Sequence, residues 1–302
     1  VTLGFFIWGR PGRSSADSLR SILPVPQTRA PKSTPMSHSA DPPPAQSPRA
    51  VRGRALVVGA SSGMGQELVR QLAGSGWAVC AVARRTDKLN ALAEQVSASS
   101  PLSPKFPVGP VTVVTNDVTQ TDATDAAFQV AVESLGGLDL MIFAAGTMPT
   151  VGREEYNTAK DLRILDTNLL GAVAWCNATA RLFASQRSGT LVGISSIAGA
   201  RGRKGNPVYG ASKAGLDHYL EALRNRLSEV GVHVCTIKPG FVQTPMTAHL
   251  NLDGAISASE AARQILKAAE SRANTRYVPW RWALVATVVK SIPSFIFKRL
   301  SI

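Results

Sequence analysis

The sequence predicts an α/β protein built on a single doubly wound parallel sheet with helices on both faces. Six short apolar runs, near residues 55–58, 77–82, 111–115, 139–144, 190–194 and 232–237, alternate with segments of helical periodicity. Such alternation makes parallel strands joined by crossover helices. The first run opens directly into a glycine-rich turn and a helix, an order that places a ligand at the carboxyl ends of the strands. Only one such series, with no internal repeat, is visible in 302 residues, so one core is the economical reading. The expected organisation is a disordered leader over residues 1–52, a folded domain over 53–270 and a basic, aromatic extension over 271–302.

Each element has local chemistry behind it. Ala55–Val58 reads as a strand, followed by Gly59-Ala-Ser61-Ser62-Gly63-Met64-Gly65 and a helical segment over 66–73. Gly59 allows the tight turn, Gly63 lets backbone approach a ligand and Gly65 lets the helix pack on the strand. Free N–H groups and the helix dipole then face a pyrophosphate. The spacing is G-x-x-x-G-x-G, not the commoner dinucleotide fingerprint, and its strand-to-helix context gives it weight. The second strand, Trp77–Val82, runs into Ala83-Arg84-Arg85 and a helix from Thr86 to Ala93. Ser97–Pro110, rich in Pro and Ser, reads as an exposed loop longer than most such connections. Asp117-Val118 follows the third strand and Ala145-Gly146 the fourth. Asn168, in Leu165-Asp-Thr-Asn-Leu169, has a plain alternative reading as a locally capping helix or turn residue, but its order and distance relative to Ser196 favour a place in the site.

Tyr209 and Lys213 lie four residues apart in Asn206–Gly215, thirteen residues after Ser196. Positions i and i+4 share a helix face, so the Lys213 ammonium can approach the Tyr209 ring. It would lower the phenol from its usual ~10 toward working pH, making Tyr209 a usable general acid or base. The Ser196 hydroxyl, from a separate strand end, could hold a substrate oxygen against that phenol. Taken alone the pair is equally a packed ring beside a solvated amine; the upstream glycine turn shifts the balance.

Together these residues resemble the short-chain dehydrogenase/reductase family over roughly residues 53–250. Gly59, Ser61, Ser62, Gly63, Met64 and Gly65 are similar to its cofactor loop, Asp117-Val118 to its adenine contact, and Asn168, Ser196, Tyr209 and Lys213 to its catalytic tetrad. Ala145 and Gly146 match the strand end that borders the cofactor. Pro239, Gly240, Val242 and Thr244 match the segment that holds the nicotinamide. The resemblance implies a Rossmann-type domain and an oxidoreductase acting on CH–OH and C=O groups. It implies that Ser196 bonds the carbonyl, a nicotinamide delivers hydride and Tyr209 protonates the alkoxide. Lys213 would tune Tyr209 and contact the nicotinamide ribose, and Asn168 would anchor a water that restores the proton. Two positions depart from the pattern: Val58 replaces a common Thr, and Phe143-Ala144-Ala145-Gly146 stands for Asn-Asn-Ala-Gly. The missing Asn at 144 bears on how the central sheet is tied.

Charge indicates which nicotinamide cofactor to expect. An NAD enzyme would place an acid after the second strand, against the ribose hydroxyls. Arg84 and Arg85 stand there instead, and a guanidinium pairs with a 2′-phosphate that an acid would repel. NADP(H) is the expected cofactor; otherwise the two arginines simply open a solvated helix.

The net charge of +13 belongs to the ends. Residues 1–54 carry +6, residues 271–302 carry +6 with no acid, and the body between is +1. A nucleic-acid platform would hold its cations on the fold, often among aromatics, so no nucleic-acid partner is expected. The leader is rich in Pro, Ser and Arg, and its apolar stretch Leu3–Trp8 is too short to cross a membrane. An over-extended gene start with Met36 as the true initiator competes there with a transit peptide. The carboxyl end combines Trp280, Trp282, aliphatic residues, Lys and Arg. It suits either peripheral contact with a membrane or a lid or subunit contact. The three cysteines, Cys80, Cys176 and Cys235, lie in apolar segments and read as reduced core thiols, and no metal-ligand spacing is present. A cytoplasmic protein touching the inner face of a membrane is the consistent picture.

Three short stretches, 199–209, Thr247–Leu250 and 292–300, are also similar to decaprenylphosphoryl-2-keto-erythro-pentose reductases. That likeness implies a lipid-linked keto-sugar substrate, with Arg201, Arg203 and Lys204 near a phosphate. A 3-oxoacyl thioester or general ketone is the alternative substrate. A non-catalytic NADP-binding sensor or scaffold is the alternative from another class. A homo-oligomer is expected from the family likeness.

Overall fold

The first strand, β1 (Arg54–Val58), pairs in parallel with β2 (Ala78–Ala83) on one side and β4 (Leu140–Phe143) on the other. Beyond β2 lies β3 (Val111–Thr115), and beyond β4 come β5 (Thr190–Ile194) and β6 (His233–Pro239). A minor parallel pair, β7 (Val242–Gln243) and β8 (Ile256–Ser257), stands apart. The last strand, β9 (Thr275–Val278), closes the seven-stranded sheet in the order β3-β2-β1-β4-β5-β6-β9. The computed structural model describes residues 51–250 and 253–300, within the unit Pro48–Ile302. Apart from Val51 and Arg52, the expected leader lies outside the described residues.

Helices cover both faces. On one face α1 (Gly63–Gly74), α2 (Thr86–Ser97) and α7 (Ala258–Glu270) bury Leu68, Leu92 and Ile265 against Val57, Ala81 and Ile237. On the other, α3 (Thr124–Leu135), α5 (Gly171–Gln186) and α6 (Pro207–Leu227) bury Phe128, Trp175 and Leu220 against Leu56, Val82 and Met141. Because both faces are covered, β2 is buried at every residue of Ala-Val-Cys-Ala-Val-Ala, the pattern of an internal parallel strand. Strands are added outward from β1 first through β2 to β3 and then, on the other side, from β4 to β6, and this switch between β1 and β4 opens a crevice at the carboxyl ends of these strands. The three cysteines are buried and free.

The carboxyl-terminal region departs from the expected division at residue 270. Thr275–Val278 is a strand of the main sheet, so the domain continues through it. Its residues Thr275 and Arg276 are exposed and polar, as suits a sheet edge, and they give no apolar run in the sequence. After it come α8 (Arg281–Ser291) and α9 (Ser294–Phe297). Among the described residues no helix is long and apolar enough to cross a membrane. The loop after α2 is tied down, with Leu102 N donating to Gly74 O at 2.7 Å and Gly109 N to Ala73 O at 2.8 Å.

Candidate active site

The glycine turn is fixed by close backbone approach. Gly59 has φ +92°, and a Cβ there would lie 2.4 Å from Ala145 N; one on Gly65 would lie 2.2 Å from Gly59 O. Gly59 N and Ala60 N both donate to Val82 O, at 2.8 and 3.0 Å, which ties the turn to β2. The first turn of α1 carries no acid, and the Ser62 side chain at its N-cap makes no capping bond. Its N–H groups and dipole are therefore available to an anion. The turn is one wall of a crevice of about 170 Å³.

Of the expected cofactor contacts, Gly59, Ser61, Ser62, Gly63, Met64, Gly65, Arg84, Arg85, Val118, Ala145, Gly146 and Thr244 line this crevice together. Arg85 Nη2 donates to Ser61 Oγ at 2.8 Å and to Ser62 Oγ at 3.2 Å, so its guanidinium lies against the loop. Arg84, largely exposed, pairs with Asp117 at 3.5 Å. Asp117 itself does not line the crevice, because its other oxygen accepts from Thr119 N and Thr119 Oγ1 at 3.0 and 2.9 Å. The neighbouring Asn116 does line it, and its buried Oδ1 has no hydrogen-bond partner. An unmatched acceptor beside an open helix N-terminus fits a ligand carrying both amine and phosphate groups, as nicotinamide dinucleotides do. Nothing in the sequence sets Asn116 apart from Asp117 as the residue that faces inward. Where Asn 144 is missing, the Ala144 backbone N–H donates to Val58 O at 2.7 Å and keeps the strand ends joined.

Four further side chains converge at the end of β5. Ser196, nearly buried, accepts from Ala198 N at 3.1 Å through its hydroxyl oxygen. Tyr209 stands in the first turn of α6. That helix starts with Asn206 in the left-handed region (φ 52°) and Pro207 at the first helical position, an N-terminus that fixes the entry of the chain. Asn206 Nδ2 also donates to Pro149 O at 2.9 Å, so one residue both starts the helix and ties it to the loop after β4. Lys213, one turn along, has Nζ 5.9 Å from the Tyr209 ring centre and donates to Ile194 O at 3.0 Å. Gly146 lies beside both Lys213 Nζ and Asn168 Oδ1.

The electrostatics correct one expectation. The Tyr209 phenol is pushed up, not down: burial dominates, and the Ser196 hydroxyl and the Arg203 charge oppose it only in part. Lys213, with Nζ 5.9 Å from the ring, does not reverse that shift; its own burial pushes it down to about 8, with the Asp217 carboxylate working against it. Asp217 is one more turn along α6. Its Oδ2 pairs with Lys238 Nζ of β6 at 2.9 Å, both side chains largely buried, while its Oδ1 has no partner. No local pattern marks this pair, since its members are 21 residues apart.

Asn168 is fully buried in a π-helical turn, Asp166–Leu170, between α4 (Thr158–Leu165) and α5. It does not cap its own helix. Its Oδ1 accepts from Thr147 N at 2.7 Å, and its Nδ2 donates to Thr147 O at 2.9 Å and to Ser212 Oγ at 3.2 Å. The wider turn carries the amide inward, a recurrent use of π-turns at functional sites, and clamps the loop after β4 to α6.

Ser196, Tyr209, Pro239, Gly240, Val242 and Thr244 line a second cavity of about 390 Å³. It shares Met64, Thr244 and Met246 with the glycine-turn crevice, so the two are adjoining compartments. Its wall is mostly apolar, Arg203 and His249 are the basic groups on it, and no acid lines it among the described residues. Arg201, expected near a phosphate, is instead held by the carboxyl-terminal helices. Its Nη1 donates to Val289 O at 2.7 Å and to Ile292 O, and its guanidinium lies 4.0 Å over the Phe297 ring. Trp282 of α8 packs edge-on against Phe241 at 5.1 Å and so closely on Gly240 that a Cβ there would lie 2.0 Å from Nε1.

Residues 54–255 match the family model described as short chain dehydrogenase. The chain belongs to the short chain dehydrogenase family. An uncharacterized oxidoreductase of Myxococcus xanthus is 35% identical over 245 residues, covering 80% of this chain and 94% of that one. An uncharacterized oxidoreductase of Staphylococcus epidermidis is 31% identical over 193 residues, covering 64% of this chain and 79% of its own length. A short-chain type dehydrogenase/reductase from Mycobacterium ulcerans superposes with a TM-score of 0.69 at 22% identity, over 80% of this chain and 96% of that one. A variant actinorhodin polyketide ketoreductase solved with NADPH superposes at 0.62 with 24% identity, over 71% and 89%; at that identity the likeness is one of fold. As a short chain dehydrogenase the protein is a nicotinamide-dependent oxidoreductase acting on CH–OH or C=O groups. The narrower likeness to polyprenyl keto-sugar reductases finds no support in the names of these relatives.

Proposed function

We propose that the protein is an NADPH-dependent carbonyl reductase whose catalytic residues are Ser196, Tyr209, Lys213 and Asn168. The observation that carries the reading is the continuity of the two compartments. The cavity lined by Ser196 and Tyr209 adjoins the glycine-turn crevice through Met64, Thr244 and Met246. When bound, the nicotinamide supplies a hydride. The chain's own residues do the rest: the Ser196 hydroxyl donates to the carbonyl oxygen and Tyr209 delivers a proton to that oxygen as charge develops on it. Lys213 contributes a positive charge beside the phenol, and Asn168 holds the loop after β4 in register with α6. The carboxyl ends of β1 and β4, α1 and Arg85 hold the dinucleotide, and Arg84 and Arg85 favour a 2′-phosphate.

Within that reading an amphiphilic, lipid-linked carbonyl compound with an acidic group is the preferred substrate class. The cavity is largely apolar, Arg203 lies on its wall, and Phe241 beside Trp282 leads toward the carboxyl-terminal helices. A 3-oxoacyl thioester or simple ketone is the second choice. The catalytic domain comprises residues 53–270 together with β9, and the protein assembles as a homo-oligomer through the face of α4 and the π-turn after it, where Leu162 and Leu170 are exposed.

Tyr209→Phe is the decisive variant. It should lower NADPH oxidation with a reducible ketone by several orders of magnitude while NADPH affinity, read by fluorescence titration, stays within about threefold. Unchanged turnover would remove Tyr209 from the mechanism. NADPH binding with no turnover by the wild type on any carbonyl tested would favour a cofactor-binding sensor or scaffold.

A further inference from the structure

Residues 271–302 hold six Lys or Arg and no Asp or Glu, and α8 and α9 expose large apolar side chains. On α8, Leu284, Val285 and Val288 fall on one helical face and are 59, 40 and 63% exposed. Trp280, just before α8, is 67% exposed, and Phe295 and Ile296 of α9 are 62 and 43% exposed. The opposite face is used by the fold, with Ala286 buried and Trp282 against Phe241. The orientation of the helix is therefore set by packing, and it leaves the apolar stripe of Leu284, Val285 and Val288 facing outward.

Cations stand at the carboxyl ends of both helices, and the corner between the helices is tied to the fold. Lys290, Lys298 and Arg299 are exposed and take part in none of the ion pairs among the described residues. Arg201 joins the corner between α8 and α9 to the loop after Ser196 through Val289 O and Ile292 O. A surface that binds there is thus connected to the wall of the catalytic cavity.

We propose that this face of α8 and α9 docks on an anionic lipid surface. Charge complementarity selects that occupant. A second copy meeting the patch through a two-fold axis would place basic residues against basic residues, with no acid in the segment to answer them. Anionic headgroups answer them directly, while the tryptophan and aliphatic side chains enter the interface. The docking surface is independent of the reductase reading, because it is measured without turnover.

The test uses the full chain sedimented with vesicles of phosphatidylcholine alone or mixed with phosphatidylglycerol, at low and high salt. Wild type should bind the mixed vesicles, more weakly at high salt, and should bind the neutral ones poorly. Reversing three charges together, Lys290→Glu, Lys298→Glu and Arg299→Glu, should weaken partition on the order of a hundredfold. Leu284→Ser with Val288→Ser should weaken it also, with the melting temperature held, since both side chains face outward. Absence of binding to anionic vesicles, equal binding to neutral ones, or binding unaffected by either variant would overturn the proposal. A smaller oligomer by light scattering in the Leu284/Val288 variant would assign the stripe to a second copy and overturn it equally.

Discussion

Asp217→Asn tests whether the charge behind Lys213 tunes the site or merely supports it. Burial pushes Lys213 down to about 8, and Asp217 opposes that shift. A nearby opposite charge is worth roughly 1–3 pH units to an ionisable group. Taking the low end, removal of the carboxylate lowers Lys213 by about one unit; at pH 8 its charged fraction then falls from about half to about one-tenth. At pH 6 it falls only slightly. If the ammonium assists Tyr209, turnover should drop about fivefold at pH 8 and hardly at all at pH 6, with the basic limb of the kcat profile moved down by about one unit. The substitution also leaves Lys238 buried beside a neutral amide, and an orphaned charge of that kind costs about 3–5 kcal/mol. Asp217→Asn with Lys238→Met removes the orphan and separates the two effects. The assay is NADPH oxidation across the pH range, with thermal melting of each variant. A loss by the same factor at both pH values, or a basic limb that does not move in either variant, refutes the tuning role.

Three other outcomes are expected. Replacing Arg84 and Arg85 by Ala should weaken NADPH binding about 10- to 100-fold by calorimetry and NADH binding far less; equal loss would show that the pair only supports Ser61 and Ser62. Gly65→Ala places a Cβ 2.2 Å from a backbone carbonyl that cannot move aside, so cofactor affinity should fall at least about tenfold and stability by about 1–3 kcal/mol, read by titration and denaturant melts. Relative to Lys213→Met, the cofactor-free protein should gain stability as pH rises from 8 to 10.5. Lys213 has its folded pKa depressed from 10.5 to about 8, so in that window the unfolded chain binds more protons. The destabilisation, at most about 3 kcal/mol, is complete below pH 8 and relieved above it. Denaturant melts at stepped pH read the difference between the two proteins, since the raised Cys176 and Cys235 thiols give an opposite slope common to both; equal slopes would refute the assignment to Lys213.

Six of the seven main strands were legible because each carries a short apolar run, unbroken in the internal strands β1 (Ala-Leu-Val-Val) and β2 (Ala-Val-Cys-Ala-Val-Ala) and interrupted only by Thr in the edge strand β3. The edge strand β9 was not legible. With one side open to solvent it carries Thr275 and Arg276, and its pairing with β6 is a tertiary fact that no local pattern encodes. In the site, the glycine turn could be read because backbone contact requires glycine at particular steps, and Gly65 against Gly59 O shows that requirement directly. Asn116, Asp217 and the placement of Arg201 could not. Each depends on which neighbour a polar side chain meets across the fold, and Asn, Asp and Arg are ordinary surface residues when seen one at a time.

The direction of the pKa shifts bears on the chemistry itself. Burial favours neutral forms, so the same environment raises Tyr209 and lowers Lys213. At neutral pH the phenol therefore keeps its proton, which is the form a reduction needs, because the oxygen that receives hydride's electrons must be protonated from somewhere. Oxidation of an alcohol in the same cavity would require Tyr209 as phenolate, against its burial. That cost is offset only by nearby positive charge, and here the available charges are Lys213, held up by Asp217, and Arg203 on the cavity wall. The arrangement loads the proton donor at rest and reserves the reverse reaction for alkaline conditions. The forward rate with a ketone should accordingly be flat from pH 6 to 7.5 and the reverse rate should climb through it; a reverse rate that is flat over that range would mean Tyr209 is not the group that carries the proton.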